Sequence, residues 1–212
     1  MRTLALGSRE VDLPVDLVPV AERAAVARVR RDPTVRRPLE ARRVRAPVAA
    51  FERLLADLPR AASLVERIGA GRYEIAPVGG GAAPGGSFTI DDRDGAHARV
   101  DRVHDAPGER IYLARGWIRV RPLPSVAGTG VVVLRFEGDG DGATRVGGQI
   151  FFRVDSRALH AIARPLARLL RAVIDWKVKR LQAAAIAACE AEAAAAASAG
   201  PAYTRAAGNR SG

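Results

Sequence analysis

The side chains with catalytic potential are few in this chain of 212 residues. His97, His104 and His160 are its three histidines, and the lone Cys189 stands in an alanine-rich stretch. If residues 96–104 form a strand, His97 and His104 point to opposite sides of it, because they lie seven positions apart. A zinc site needs ligands that converge on one point. The sequence therefore predicts no metal site.

Acid–base chemistry would have to come from His104 or from one of four carboxylates in residues 91–101. Most of these carboxylates lie in predicted turns or beside arginines, which favours a structural role. Ser125 and Ser156 lack the flanking glycines of a nucleophile elbow. We therefore predict no catalytic residue, no metal and no cofactor. The carboxylates in question are Asp91, Asp92, Asp94 and Asp101.

The elements that would position any site follow from the periodicity of apolar residues. Between residues 73 and 155 the chain alternates apolar and polar residues in six short runs, broken by Gly, Asp and Pro, which predicts six antiparallel strands. A single helical pattern then runs from residue 156 to about residue 192. Before the strands, residues 39–46 read as a strand, and residues 48–58 and 62–68 as two helices. The predicted class is α+β, a curled antiparallel sheet of about seven strands wrapped on a long C-terminal helix.

The long strands have two faces of different character. One face is apolar and predicts burial beneath the helix, whereas the other is charged and predicts contact with water. The residues of the second face include Arg115, Trp117, Arg119, Arg121, Arg135, Glu137, Arg145 and Arg153.

Small residues on the apolar face bear on whether the fold encloses a cavity. Ala98, Ala114, Gly116 and Gly148 lie within strands, where small residues mark either a bend or free space beneath a covering element. Both interpretations stay open at this point. Pro165 interrupts the stripe of the long helix and predicts a kink there.

The formal net charge of +11 lies mainly in the two ends of the chain, and all but two of the 34 basic residues are Arg. A solvated basic surface is the favoured interpretation. An anionic membrane surface is a second one, with Arg164, Arg168, Arg171 and Lys177 on the outer helix face. Nucleic acid is disfavoured, because Asp101 and Glu137 interrupt the arginine ladder beside Trp117. The lone cysteine, and the absence of a signal-like start or a long apolar run, predict a cytoplasmic protein.

The order of elements resembles the helix-grip fold of the START-like, or SRPBCC, superfamily. The stretch FERLLADLPRAASLVERIGAGRYEI is similar to its two-helix turn running into the second strand. VVVLRFEGDGDGATRVGGQIFFRVDS followed by RALHAIARPLARLLRAVI is similar to its last hairpin and closing helix. The resemblance covers residues 39–192. It leaves residues 1–38 as an N-terminal arm and residues 193–212 as a disordered tail rich in Ala and Gly.

The resemblance implies that a hydrophobic or amphipathic small molecule, such as a lipid, binds between sheet and helix. A cyclase- or dehydratase-type enzyme in the same pocket is the alternative, and a non-enzymatic protein that binds nucleic acid or a partner is a third possibility. We expect the cavity to be lined by Tyr73, Phe88, Ala98, Tyr112, Ala114, Gly116, Ile118, Leu134, Phe136, Gly148, Ile150, Phe152, Leu166, Leu169 and Val173.

Overall fold

The computed structural model describes residues 15–79, 86–93, 95–119, 125–155 and 157–198, with the side chains of residues 157–170 outside the description. A short 3-10 turn, Val15–Leu17, precedes the first helix. The helices are α1 (Val20–Arg31), α2 (Val48–Ala56), α3 (Leu58–Arg67) and α4 (Arg157–Ser198). The strands are β1 (Val35–Val44), β2 (Glu74–Pro77), β3 (Ser87–Asp91), β4 (Ala96–Ala106), β5 (Glu109–Ile118), β6 (Val126–Gly138) and β7 (Thr144–Val154).

Within the described residues, seven strands form one antiparallel sheet in the order β1-β7-β6-β5-β4-β3-β2. Strands β2 to β7 form a meander of neighbouring hairpins, and β1 adds to the far edge by pairing with β7, with Val35 opposite Phe152. Helices α2 and α3 connect the two edges of the sheet. The predicted α+β architecture, a curled sheet against a long C-terminal helix, is confirmed.

Local sequence signals explain the two connecting helices. Pro47 directly precedes α2, whose Phe51, Leu54 and Leu55 are buried at helical spacing. Asp57 caps α3, because its carboxylate accepts a hydrogen bond of 3.0 Å from the Arg60 amide. The two helices therefore turn an apolar stripe toward the sheet.

The inner face of the sheet is packed at both ends. At one end Phe136 and Val146 lie in a cluster with α2, α3 and the C-terminal half of α4, where the Phe51 and Phe136 rings meet edge to face at 5.1 Å. At the other end Ile118, Phe152 and Ile174 belong to a second cluster. Helix α4 therefore contributes to both clusters, as a covering helix should.

The outer face does not match the prediction of a fully wetted surface. Helix α1 packs across β6 and β7, and Val26 and Val29 join an outer cluster that contains Leu113, Val131 and Phe151. These strand residues alternate with the predicted inner set, so the middle of the sheet is apolar on both sides. The expectation that this face meets water is wrong there, because α1 buries it.

A β-bulge in β4 corrects the predicted orientation of the histidines. His97 pairs with Trp117 and His104 pairs with Ile111, and the register shifts between Arg102 and His104. An extra residue in one strand reverses the alternation beyond it. His97 and His104 therefore lie on the same, outer side of the sheet rather than on opposite sides.

Helix α4 is longer than predicted. It continues past residue 192 to Ser198, and it runs through Pro165 without a break. The C-terminal end of α4 contacts the segment that precedes β2. Glu192 pairs with Arg53 of α2 and Arg60 of α3. The Glu190 side chain accepts a 3.0 Å hydrogen bond from the Arg45 amide. At the other terminus, β1 begins at Val35, inside the segment assigned to an arm.

An ion-pair network joins α1 to the outer face. Arg115 pairs with Glu22 of α1 and with Asp101 of β4, and Asp101 also accepts hydrogen bonds from Ser87 at 2.7 Å and Arg99 at 3.1 Å. Partial burial opposes ionisation of Asp101. The hydrogen bonds from Ser87 and Arg99 and the charges of Arg99 and Arg115 outweigh it, so the pKa of this carboxyl lies below its usual value.

Asp101→Asn should lower the free energy of unfolding at neutral pH and lose this effect in acid. A carboxylate whose pKa is depressed by folding stabilises the folded state above its unfolded pKa, and that stabilisation disappears as the pH falls through the folded pKa. Urea unfolding of both proteins between about pH 7 and pH 2 measures the difference. A gap that is constant over this range would show that Asp101 does not contribute through its charge.

Candidate functional site: an apolar cavity

A cavity of about 300 Å³ lies between α3, the β2–β4 side of the sheet and the middle of α4. The sheet contributes Ile75, Ile90, Ala98 and Val100 to its wall. Ala98 is opposite Ile90 across β3 and β4, so these side chains share one face. The cavity therefore occupies the part of the inner face that lies beside the second edge of the sheet, away from β1 and β7.

The helices form the rest of the wall with apolar side chains. Trp176 and Leu181 of α4 are each 53% exposed and also line the cavity, so they form the rim of its opening. Both are large apolar residues at the surface, where they are available to an entering molecule. The other apolar lining residues from the helices are Leu54, Leu55, Leu58, Ala61, Ala62, Val65, Val178 and Ala185.

Charged groups lie at one place in this wall. Among the described lining residues, Asp92, Lys177 and Arg180 carry charge. Lys177 donates a hydrogen bond to Asp92, and these side chains are only 16% and 13% exposed. The Ala96 amide also donates to the Asp92 carboxylate, at 2.7 Å. The cavity therefore has an apolar body and one polar corner.

Arg102, whose side chain is 11% exposed, braces the wall beneath α2. Its guanidinium donates to the Leu55 carbonyl at 3.0 Å and to the Asp105 carboxylate at 2.8 Å. Arg110, which is buried, pairs with Asp105 at 2.8 Å and stacks over the Phe136 ring. A cation near the last carbonyls of a helix is favourable. Arg102 thus holds the end of α2, whose Leu55 lines the cavity.

Tyr112 lies beside Arg102 and Arg110. Burial raises the pKa of its hydroxyl above the usual value, although the charges of Arg102 and Arg110 oppose the shift. The phenol is therefore protonated at neutral pH, where it can donate a hydrogen bond but cannot serve as a base.

The structure brings two of the predicted lining residues to the cavity wall, Tyr73 and Ala98. Most of the others are placed in packed regions of the inner face, and their contact with a ligand stays a prediction. Leu134 and Phe136 pack toward α2, and Ile118, Phe152 and Val173 belong to the cluster at the opposite end. Phe88 and Tyr112 are buried. Ala114 lies opposite Val100, and Ile150 opposite Val132. The side chains of Leu166 and Leu169 lie outside the described residues.

Gly116 and Gly148 mark close backbone approaches rather than free space. A Cβ on Gly148 would collide with the Val133 carbonyl oxygen of β6. A Cβ on Gly116 would collide with the His97 carbonyl oxygen and come within 2.6 Å of the Ala98 Cα. Neither interpretation left open by the sequence describes these glycines, because neighbouring backbone leaves no room for a side chain there. Free space applies to Ala98.

The sequence prediction did not include the residues that α2, α3 and the second half of α4 contribute to the cavity wall. The signal was present, because Leu54, Leu55 and Leu58 form a stripe and Trp176 ends the stripe of α4. The prediction concentrated on the longest strands, which have the strongest alternation. Those strands carry the packed clusters, whereas the cavity lies beside the short strands β2 and β3.

Chemistry beyond binding finds little support in the described residues. No group of three or more His, Cys, Asp or Glu side chains there could hold a metal ion. Cys189 is buried, and burial, with the charges of Glu192 and Glu190, raises the pKa of its thiol to about 11. A thiol of this kind is inert, because the thiolate is the reactive form.

The basic surfaces are interrupted by ion pairs. On the outer sheet face Arg135 pairs with Glu109, Arg145 with Asp139 and Arg153 with Asp32, so the arginine ladder is largely neutralised. Lys177, which the sequence pattern placed on the outer basic face of α4, turns instead to Asp92, so that placement is wrong. Contact of the other basic residues with a membrane stays a prediction. The side chains of Arg164 and Arg168 lie outside the described residues. No described helix combines the length and apolarity needed to cross a bilayer.

Comparisons with known proteins identify the fold. No protein-family model matches the sequence, and no curated protein matches it. Among solved structures, Ara h 8.0201 is 14% identical, with a TM-score of 0.51 over 76% of this chain and 99% of its own. The Zhui aromatase/cyclase from Streptomyces is also 14% identical, with a TM-score of 0.51 over 74% of this chain and 94% of its own.

The di-domain ARO/CYC StfQ from the steffimycin biosynthetic pathway is 16% identical, with a TM-score of 0.54 over 84% of this chain and 55% of its own. At these identities the likeness concerns the fold alone. The chain has the helix-grip fold of START-like proteins, and the resemblance inferred from its sequence is confirmed at that level.

Proposed function

We propose that this protein binds a small hydrophobic or amphipathic molecule in the cavity between α3, β2–β4 and α4. The observation that carries the proposal is the cavity itself, whose wall is apolar except at one corner. Protein interiors are close-packed, and voids larger than a water molecule are few. An apolar space of about 300 Å³ that opens beside exposed Trp176 and Leu181 is therefore suited to binding.

The volume limits the size of the ligand. Cavities that enclose drug-sized molecules measure about 300 to 1,000 Å³, and this one lies at the lower end. At about 30 Å³ for each water-sized group, it holds roughly ten such groups. A single short chain or a compact ring system fits this space, whereas a lipid with two long chains exceeds it.

A cytoplasmic location stays a prediction from the lone cysteine.

A carrier or binding role is favoured over a cyclase- or dehydratase-type enzyme. An enzyme of that kind needs an acid or base directed at its substrate. Among the described lining residues the one carboxylate, Asp92, already accepts hydrogen bonds from Lys177 and from the Ala96 amide. The Zhui and StfQ proteins are named as aromatase/cyclases, which motivates the enzymatic alternative. The other lining residues of a type that can transfer a proton are Tyr73 and Lys177, and Lys177 is already paired with Asp92.

A series of straight-chain alcohols tests the proposal. Each methylene moved from water into the cavity contributes about 0.8 kcal/mol, so affinity should rise about fourfold per carbon in a series from butan-1-ol to dodecan-1-ol until the cavity is full. The rise should stop at roughly ten non-hydrogen atoms, when the cavity is full. Isothermal titration calorimetry measures the affinities, and a negative heat-capacity change is the marker of apolar burial.

The expected result is one site per chain with a clear limit in chain length. Absence of saturable binding across the series would contradict the proposal. Affinity that rises without a limit would indicate adsorption to an open apolar surface. Native mass spectrometry of the protein from its own host provides an independent measurement, because a retained ligand adds a discrete mass that denaturation removes.

A further inference from the structure

An ion pair forms the polar corner of the cavity. Lys177 of α4 donates a hydrogen bond to Asp92, which directly follows β3, and both residues line the cavity. Their side chains are 16% and 13% exposed, so little bulk water reaches them. Arg180, the other charged residue of the described wall, lies over the Trp176 ring and has a further interaction of its own. Taken by itself, the Lys177–Asp92 pair is neutral.

Both members of the pair keep hydrogen-bonding capacity. An ammonium group has three N–H donors, and Lys177 uses one of them for Asp92. A carboxylate has about four lone-pair sites, and Asp92 accepts from Lys177 and from the Ala96 amide. Donors and acceptors that have lost water are costly to leave unfilled. The pair therefore offers one further donor and one further acceptor at a single place in an otherwise apolar wall.

The cavity leads from this pair into an apolar interior. Strand β4 passes from Ala96, whose amide holds Asp92, to Val100, and both strand residues line the wall. Val100 is buried and lies about 13 Å along the strand from Ala96. On the other side of the corner, Lys177 is next to Trp176, an exposed residue of the rim. A molecule whose apolar body reaches toward Val100 thus leaves its other end beside the ion pair.

We propose that the ligand is an uncharged amphiphile with a hydroxyl group, an alcohol or a phenol, whose oxygen binds at the Lys177–Asp92 pair while its apolar body fills the cavity. This inference rests on the proposed binding function and specifies its ligand class. A hydroxyl is a donor and an acceptor at once, so it accepts from Lys177 and donates to Asp92. Because these two side chains are in hydrogen-bond contact, one oxygen can reach both.

The same pair discriminates against charged head groups. A carboxylate could accept from Lys177 but would meet the like charge of Asp92, and an ammonium could donate to Asp92 but would meet Lys177. Repulsion of the wrong ligand is as much a source of specificity as attraction of the right one. An ether oxygen can accept from Lys177, but it has no proton for Asp92. Lys177 and Asp92 are then the residues that determine specificity.

Four ligands of similar size test this ligand class by isothermal titration calorimetry near neutral pH: octan-1-ol, its isomer 1-methoxyheptane, octanoate and octylamine. In a purely apolar cavity the ether should bind at least as tightly as the alcohol, because burial of the hydroxyl forfeits its hydrogen bonds to water. With the ion pair as partner, octan-1-ol should instead bind about tenfold more tightly than 1-methoxyheptane. Octanoate and octylamine should both bind more weakly than octan-1-ol.

Single substitutions in the pair should change which charged head group is accepted. Asp92→Asn keeps an oxygen for the Ala96 amide but removes the negative charge, so octanoate should gain about tenfold relative to octan-1-ol. Lys177→Met removes the ammonium and leaves the carboxylate, so octylamine should gain about tenfold relative to octan-1-ol. Lys179→Met is the matched control, since Lys179 is exposed on the same helix and should keep the native order of affinities.

The possible outcomes separate this inference from the proposed function. Preference of the native protein for octan-1-ol, with opposite changes in the two variants, supports the hydroxyl ligand class. The inference is overturned, and the proposed function stands, if 1-methoxyheptane or octanoate binds the native protein as tightly as octan-1-ol. Equal weakening of all four ligands in both variants also overturns it, because the pair then only holds the fold. Failure of every ligand to bind overturns both. Far-ultraviolet circular dichroism of each variant confirms that it is folded before the titration.

Discussion

Gly148→Ala is expected to destabilise the protein severely and Gly148→Leu to prevent folding. Any Cβ at this position would collide with the Val133 carbonyl oxygen, which belongs to the backbone and cannot rotate away. Relief requires that β6 and β7 separate where Gly148 lies opposite Leu134. Overpacking of this kind commonly costs about 1 to 3 kcal/mol, and a clash with backbone in the sheet centre should reach or exceed the upper figure. Urea unfolding followed by circular dichroism measures the loss.

Gly130→Ala is the matched control for that experiment. Gly130 also lies on the inner face, opposite Phe152 of β7, but its Cβ would be 3.6 Å from the nearest atom, the Phe151 carbonyl oxygen. That is an ordinary contact distance, so the variant should be nearly as stable as the native protein. Equal stability of Gly148→Ala and Gly130→Ala would contradict the close approach of β6 to β7.

Ala98→Phe is expected to reduce the affinity for octan-1-ol at least tenfold while the protein stays folded. Ala98 is half-buried on β4 and faces the cavity, so an added phenyl ring would occupy much of its 300 Å³. Ligand and ring then compete for one space, and a loss of about 1.4 kcal/mol in binding corresponds to tenfold. Calorimetry with octan-1-ol provides the affinity, and thermal unfolding provides the stability of the variant.

Ala127→Phe controls for the introduction of an aromatic residue into a strand. Ala127 is exposed on β6, opposite Trp117 of the outer face, so its replacement leaves the cavity unchanged. Octan-1-ol should bind this variant with native affinity. Native affinity in Ala98→Phe as well would mean that the alcohol binds elsewhere on the protein.

The fold was predictable because its signals are local. Alternation with period two in β4 to β7 and the stripe of α4 follow from residues close together in the chain. Two features of the fold that differ from the prediction depend on contacts between residues far apart in the chain. The bulge in β4 shows only in its pairing with β5, and burial of the outer face depends on α1 reaching Leu113 and Val131. The continuous apolar runs at residues 131–134 and 150–152 are the sequence signal that both faces are covered.

The site was less predictable than the fold, for a physical reason. A cavity is the difference between the space that a curled sheet encloses and the volume of the side chains that enter it. Alternation indicates which residues face inward, but not which of them a helix will meet. Phe136 and Phe152 meet α2 and α4, whereas Ala98 does not, and that distinction depends on how the helices cross the sheet.

The place of α4 after all seven described strands in the chain also determines when the cavity can exist during synthesis. Val35 can pair with Phe152, and the Arg45 amide can donate to Glu190, only after the intervening chain has been made. Contacts so distant in sequence form late and slow folding. On the ribosome, β2 to β6 can assemble as a meander while their inner face still lacks α4. The cavity therefore cannot exist until α4 has been made and has packed on the sheet, and before that the apolar inner face of the strands is exposed.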